Sequence, residues 1–150
     1  MKIEGPSGDL ILQNDSTRAA VFLAGGIGIT PLRSIVHWAA KEKLPQRVFI
    51  FYSNRRPEDA AFLAELQSLE RGNSKYKLIA SMTEMQKSHQ PWNGETGLIT
   101  QEMLGKHLKG AESPIYYIAG PPAMVKGLHE LLTKAGTNSD DIRAEEFAGY

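Results

Sequence analysis

The fold of this chain is decided by residues 20–31, which read AVFLAGGIGITP. The first five residues form a continuous apolar run, and such runs are typical of parallel strands that are buried on both faces. Three glycines lie in the turn that follows, and Thr30 and Pro31 are residue types that cap a helix and occupy its first turn. The stretch therefore predicts a buried strand, a glycine-rich turn and a helix that Thr30 caps.

The same unit recurs along the chain. Further apolar runs predict strands at residues 48–52, 78–82 and 115–119, and a last strand at about 142–147. The helical patterns predict a helix that Pro57 opens, with Phe62, Leu66 and Leu69 as its apolar stripe, a shorter helix at 101–108, and one that Pro121 and Pro122 open and that ends near Gly136. Strands that alternate with helices predict a doubly wound α/β domain with a five-stranded parallel sheet and right-handed crossovers.

The first 18 residues do not fit this pattern. Residues 5–8 (GPSG) read as a turn, residues 9–13 as one strand, and residues 14–18 as a polar linker. A lone strand is not stable by itself. We therefore interpret residues 1–18 as the end of another domain and residues 19–150 as the α/β domain.

Composition narrows the classes of protein. The 150 residues suit one domain, and 17 basic residues against 17 acidic ones argue against a nucleic-acid partner. The chain has no cysteine, which excludes disulfides, thiolate zinc and cysteine-ligated iron–sulfur clusters. The four histidines lack metal-ligand spacing, and no run approaches about 18 apolar residues. These features predict a cytoplasmic protein with no metal site and no membrane partner.

The glycine-rich turn is the first candidate binding site, because doubly wound sheets bind ligands beyond the carboxyl ends of their strands. Glycines allow close approach of a ligand to the backbone, and a helix N-terminus presents free N–H groups, a combination that binds phosphate. A tight turn without a ligand is the alternative. The predicted phosphate loop comprises Gly25, Gly26, Ile27, Gly28, Ile29, Thr30 and Pro31.

The loop after the second strand indicates which phosphate ligand to expect. No P-loop motif is present, and the dinucleotide fingerprint G-x-G-x-x-G fails because Pro31 occupies its third glycine position. The second strand ends in Ser53, Asn54, Arg55 and Arg56 rather than in an acidic residue. A hydroxyl and two guanidinium groups suit a 2′-phosphate, although a solvated turn remains an alternative. The choice between NADP and NAD stays open.

Four motifs in order give a specific resemblance. They are GGIGITP at 25–31, YSNR at 52–55, GPPAM at 120–124 and EEF at 145–147. Over residues 19–150 the chain is similar to the pyridine-nucleotide domain of the ferredoxin–NADP reductase superfamily. Residues 5–10 resemble the last strand of that family's flavin-binding barrel. The resemblance also implies the strand order 3-2-1-4-5.

The resemblance implies a role for each motif. The glycine loop would hold the pyrophosphate, and residues 53–56 would face the adenosine ribose. Glu146 and Phe147 would lie at the nicotinamide–flavin junction, with Tyr150 as a further aromatic candidate. Ala119 stands where many members have a cysteine. The remaining predicted cofactor contacts are Met82, Thr83, Ala119, Gly120, Pro121, Pro122 and Met124.

The function that the resemblance implies is NAD(P)H-dependent flavin reduction. The chain would position nicotinamide for hydride transfer to FAD or FMN on a flavin domain or subunit that it lacks, and would be inactive alone. The electron acceptor is not indicated. A stand-alone nucleotide-binding or regulatory module is the alternative. An α/β enzyme such as a methyltransferase is disfavoured, because the second strand lacks a terminal acidic residue.

Overall fold

The sheet has six parallel strands in the computed structural model, which describes residues 17–111 and 113–146. The strands are β1 (Ala20–Gly25), β2 (Val48–Asn54), β3 (Tyr76–Met82), β4 (Glu95–Thr96), β5 (Ile115–Gly120) and β6 (Ile142–Glu146). The helices are α1 (Ile29–Lys41), α2 (Leu63–Gly72), α3 (Gln101–His107) and α4 (Pro122–Lys134). The order of the strands is β4-β3-β2-β1-β5-β6.

The predicted fold is confirmed. The five strands expected from the sequence lie in the predicted order, because the fourth and fifth of them are β5 and β6. The additional strand β4 has two residues, which pair with Ser81 and Met82 at the end of β3. A two-residue strand is too short to leave a periodic signal in a sequence.

Both faces of the sheet are buried, which explains the continuous apolar runs. Alternate residues of β1 point to opposite faces. Phe22 packs in a cluster with α1 and α2, whereas Val21 and Leu23 pack in a second cluster with α3 and α4. All six residues of β1 and all six of β5 are buried. The carboxyl ends of these two central strands are therefore held between two helical layers.

Two predicted helix starts are wrong. Helix α1 begins at Ile29, and Thr30 lies inside its first turn, because a 3₁₀ turn at Gly26–Gly28 runs directly into the helix and leaves no extended residue for a cap. Pro57 opens only a 3₁₀ turn, Pro57–Asp59. Ala60 then leaves helical geometry at φ −89° and ψ 86°, and α2 starts at Leu63. Phe62 therefore precedes the helix.

The predicted start and end of α4 are confirmed. Pro122 is its first residue, and it ends at Lys134. Gly136 has a φ of +96°, and the N–H groups of Gly136 and Thr137 donate to the carbonyls of Thr133 and Leu132 at 3.1 and 3.0 Å. This pattern of bonds needs the left-handed conformation that glycine adopts without strain.

Some predictions fall outside the described residues. These are the turn and strand within residues 1–16, together with Phe147 and Tyr150. The division of the chain at residue 18 stays a prediction, as does the cytoplasmic location. No helix in the described part of the chain is long and apolar enough to cross a membrane.

Candidate functional site

A cleft of about 1060 Å³ opens at the carboxyl ends of the strands. The chain runs outward from β1 through β2 to β3 and then returns to β5 on the other side of β1. This reversal makes a crevice beside β1, which is where doubly wound sheets bind their ligands. The lining residues are Gly25, Gly26, Ser53, Asn54, Arg55, Arg56, Asp59, Thr83, Glu84, Lys87, Leu98, Ile99, Pro121, Ala123, Met124, Gly127, Leu128 and Leu131.

One end of the cleft, which we call the glycine end, is formed by Gly25, Gly26, Pro121 and Met124. The thioether of Met124 fills the space that side chains at Gly25 and Gly120 would need. A Cβ on Gly120 would lie 2.8 Å from Met124 Sδ, and one on Gly25 would collide with it. Neither position therefore has room for a side chain unless Met124 moves, and Gly25 lines the cleft with its backbone alone.

Gly28 is required by the packing of the backbone, and its predicted role in the phosphate loop stays a prediction. It is buried, and a Cβ there would collide with the carbonyl of Ala119 and lie 2.8 Å from the backbone nitrogen of Gly120. This glycine lets the start of α1 approach β5 closely. Gly28 therefore serves the packing of the fold, and it does not line the cleft.

The other end of the cleft, which we call the charged end, is formed by residues 53–56 after β2 together with Asp59, Thr83, Glu84 and Lys87. Two backbone hydrogen bonds join the loops after β2 and β3. The N–H of Thr83 donates to the carbonyl of Asn54 at 2.9 Å, and that of Glu84 donates to the carbonyl of Arg55 at 2.8 Å. These bonds hold acidic and basic side chains side by side.

Asn54 has a buried amide that the fold satisfies only weakly. The residue is 8% exposed, and its Nδ2 has no partner in good hydrogen-bond geometry among the residues that the structure describes. The amide still interacts with Tyr52, since burial raises the pKa of the Tyr52 hydroxyl and hydrogen bonding to Asn54 partly opposes that rise. A weakly satisfied amide beside a cleft can donate to a ligand acceptor.

The basic groups of the charged end are all ion-paired. The guanidinium of Arg56 donates to both carboxylate oxygens of Asp59, at 2.9 and 3.0 Å. Glu84 lies between Lys87 at 2.7 Å and Arg55 at 3.4 Å. Hydrogen bonding to Arg56 lowers the pKa of Asp59, and hydrogen bonding to Lys87 lowers the pKa of Glu84. Both carboxylates are therefore charged at neutral pH.

Half of the 18 predicted cofactor contacts line the cleft. Thr83 and the other predicted residues of the two ends are among them, whereas Met82 and Ala119 are buried beneath it. Within α1, Ile29 and Pro31 are buried in its first turn and Thr30 is exposed. The predicted contacts that do not line it are Gly28, Ile29, Thr30, Pro31, Met82, Ala119, Gly120 and Pro122, and the side chain of Ile27 lies outside what the structure describes.

The two glutamates at the end of β6 point to opposite faces of the sheet. Glu146 lines a separate hollow against α4, together with Lys126 and His129. Glu145 pairs with Ala119 in the sheet register, and its Oε2 is buried without a hydrogen-bond partner among the described residues. The role predicted for Glu146 and Phe147 stays a prediction, and Glu145 becomes a further candidate.

Sequence reasoning missed several lining residues. Asp59 left a signal, because it follows Arg56 by three residues, a spacing at which opposite charges meet within one turn. Glu84 left none, since only the folded loops bring it to Arg55. Gly127 and the apolar lining residues Leu98, Ile99, Leu128 and Leu131 also come from segments that lie far along the sequence from the loops after β1 and β2. The lining residues that are not among the predicted contacts are Asp59, Glu84, Lys87, Leu98, Ile99, Ala123, Gly127, Leu128 and Leu131.

The fold and the cleft define a class of protein, the doubly wound α/β domains that bind nucleotides at a switch point. Residues 22–130 match the family model of the oxidoreductase NAD-binding domain. The chain belongs to this family.

Three known proteins illustrate the similarity. One subunit of the Na(+)-translocating NADH-quinone reductase of Methylococcus capsulatus is 28% identical over 98% of this chain and 37% of its own length. The FAD/NAD binding domain of nitric oxide dioxygenase from Vibrio cholerae has a TM-score of 0.77 at 19% identity, over 91% of this chain and 53% of that one. A ferredoxin NADP+ reductase from Neisseria gonorrhoeae has a TM-score of 0.68 at 23% identity, over 89% and 57%.

The chain spans little more than a third of the length of the curated relative. The family match confirms the expected resemblance at the level of an oxidoreductase NAD-binding domain. The two structural neighbours share the fold of the chain.

Proposed function

We propose that this chain binds NADH or NADPH in the cleft and presents the nicotinamide to a flavin, FAD or FMN, carried on another domain or subunit. The chain would thus be the dinucleotide-binding part of a flavin-dependent reductase. The observation that carries the proposal is the cleft itself, which lies at the switch point and is lined by the weakly bonded amide donor of Asn54. A dinucleotide has acceptors for that donor and a pyrophosphate for the glycine end.

The two ends suggest the direction in which the dinucleotide lies. The glycine end suits the pyrophosphate, because Gly25 and Gly26 leave the backbone open beside the start of α1. The charged end suits the adenosine, whose ribose offers donors and acceptors to Asn54 and its neighbours. The nicotinamide then falls toward β5 and β6, near Ala119, Gly120 and Glu145.

The redox chemistry belongs to the bound groups, since the nicotinamide ring supplies the hydride and the flavin accepts it. The residues of the chain supply binding and orientation. Ala119 offers no thiol or proton donor beside the ring. Glu145, Glu146 and Phe147 remain the candidates for contact at the nicotinamide–flavin junction.

The names of similar proteins support a partner for this chain. One relative belongs to a multi-subunit NADH-quinone reductase, and one structural neighbour contains bound FAD and NADP. Because hydride transfer needs the two reacting carbons about 3–3.5 Å apart, a flavin-bearing partner must dock over the cleft. We propose such a partner and leave its electron acceptor undefined.

Replacing Asn54 tests the binding site. Asn54→Leu removes the buried donor while keeping a similar volume, so we expect the dissociation constant for NADH to rise roughly three- to tenfold. The melting temperature of the free protein should change little, because the amide makes only a weak contact with Tyr52. Calorimetric titration and thermal unfolding measure the two effects.

Asn73→Leu is the matched control. Its Nδ2 donates to the carbonyl of Leu69 at 2.8 Å at the end of α2, away from the cleft. We expect this variant to lose stability and to keep the affinity of the parent protein. Unchanged affinity in Asn54→Leu would contradict the role of Asn54, and the absence of binding of both dinucleotides to the parent protein would contradict the proposed function.

A further inference from the structure

The guanidinium of Arg56 is held by a carboxylate that the local backbone keeps in place. Pro57 opens a single 3₁₀ turn in which the N–H of Asp59 donates to the carbonyl of Arg56 at 3.0 Å. This turn brings the carboxylate of Asp59 back to the guanidinium, where two parallel hydrogen bonds of 2.9 and 3.0 Å form. Such a bidentate pair occupies the face of arginine that would otherwise grip a phosphate.

The other two cations of the charged end share one carboxylate. The backbone N–H of Glu84 donates to the carbonyl of Arg55 at 2.8 Å, and the carbonyl of Glu84 accepts from the backbone N–H of Lys87 at 3.0 Å. These bonds fix Glu84 between the two cations, with its carboxylate 3.4 Å from Arg55 and 2.7 Å from Lys87. Both of its oxygens are therefore directed at basic groups of the cleft.

The charges at this end almost cancel. Arg55, Arg56 and Lys87 line the cleft with Asp59 and Glu84, and the carboxylate of Glu58 lies 3.9 Å from Arg56. A 2′-phosphate carries a charge of about −1.5 to −2 at neutral pH, so it must displace a carboxylate or lie beside one. A ribose 2′-hydroxyl is neutral and can donate to a carboxylate oxygen.

We propose that Asp59 and Glu84 select NADH over NADPH by occupying the basic groups that a 2′-phosphate needs. The inference rests on the proposed function of the cleft and adds a choice between its two candidate ligands. It reverses the expectation from the sequence, in which the arginines after β2 suit a 2′-phosphate. The acidic residue that the end of β2 lacks is supplied by the turn after it and by the loop after β3.

Two pairs of ligands test the selection. NADH and NADPH differ only in the 2′-phosphate, and so do 5′-AMP and 2′,5′-ADP, which probe the charged end without the nicotinamide. We expect the parent protein to bind NADH and 5′-AMP at least about fivefold more tightly than their phosphorylated partners. Calorimetric titration of the 150-residue chain at fixed salt gives all four dissociation constants.

Asp59→Asn frees Arg56 and removes a carboxylate that can accept from the ribose 2′-hydroxyl, so we expect NADPH and 2′,5′-ADP to bind roughly five- to tenfold more tightly than to the parent protein and NADH to bind no more tightly. Glu84→Gln should act in the same direction and is a second, independent variant. Asp140→Asn is the matched control, because it makes the same chemical change before β6, at the opposite edge of the sheet. Circular dichroism confirms that each variant is folded.

The outcomes separate the two claims. If the parent protein binds NADPH as tightly as NADH, the selection is refuted and the proposed function stands. If it prefers NADH but Asp59→Asn and Glu84→Gln change NADPH binding no more than Asp140→Asn does, the assignment to these residues is refuted. If neither dinucleotide nor either fragment binds, the proposed function itself fails.

Discussion

The two ends of the cleft differ in how far the fold depends on them. Next to the glycine end the backbone segments lie so close that a single added methyl group at Gly28 would collide with β5. At the charged end the ion-paired side chains are partly or mostly exposed, and Arg55 is 79% exposed. Exposed ion pairs contribute little to stability. The glycine end therefore defines a nucleotide-binding fold, whereas the charged end can change its ligand preference without changing the fold.

The largest expected effect comes from the close backbone contact next to the glycine end. Gly28→Ala places a methyl group against the backbone of Ala119 and Gly120, and neither of these can move without disturbing β5. We expect the free energy of unfolding to fall by at least about 2 kcal/mol. Urea denaturation followed by circular dichroism measures it.

Gly105→Ala is the control for this variant. Gly105 lies inside α3, and no heavy atom of the described residues lies within 4 Å of a Cβ built there. Alanine should therefore stabilise the helix by about 0.5–1 kcal/mol. If Gly28→Ala proved as stable as the parent protein, the close contact between α1 and β5 would not be what requires glycine at this position.

The sequence also predicted the glycine end more completely than the charged end. Apolar runs and glycine-rich turns are local signals, and they predicted the strands and the loop at Gly25, whereas the strand order was implied by the resemblance to a known family. The starts of α1 and α2 were mispredicted, because Thr30 and Pro57 favour a helix start at their own positions. A 3₁₀ turn before α1 moves its start to Ile29, and the non-helical backbone of Ala60 delays the start of α2 to Leu63.

The charged end could be predicted only in part. Arg55 and Arg56 stand out in the sequence, but their function depends on what their guanidinium groups contact. Glu84 follows Arg55 by 29 residues, and only the pairing of β2 with β3 brings the two loops together. The charges of Arg55 and Arg56 in the sequence therefore suggested a phosphate site, whereas their ion pairs with carboxylates in the structure favour a ribose.

A smaller effect is expected from an ion cluster outside the cleft, which serves as a reference for the charged end. Glu65 on α2 accepts hydrogen bonds from Arg33 and lies 3.0 Å from His37 on α1. The bonds from Arg33 lower the pKa of Glu65 from 4.5 to about 2. Because the cluster joins two helices, Glu65→Gln should cost on the order of 1 kcal/mol at pH 7, after allowance for its partial exposure.

The pH dependence of this variant follows from the lowered pKa. The stabilisation is complete above the unfolded pKa of 4.5 and is lost as the pH falls toward the folded value of about 2. The difference in melting temperature between the parent protein and Glu65→Gln should therefore shrink over that range, which thermal unfolding at a series of pH values measures. Asp59→Asn, in contrast, should leave the melting temperature nearly unchanged at pH 7. A difference for Glu65→Gln that stayed constant down to pH 2 would contradict the structural role of the cluster.

The most direct test of the central claim, that a dinucleotide binds across both ends of the cleft, is a titration of the ¹⁵N-labelled chain with NADH followed by two-dimensional NMR. We predict that the largest shifts occur at the backbone amides of Gly25, Gly26 and Gly120 at one end and of Asn54 and Thr83 at the other. The amides at the amino ends of the strands, such as that of Asp140, should stay in place. Saturating NADH that left the amides of both ends unchanged, or that shifted instead those on the outer face of α1 and α2, would contradict the account.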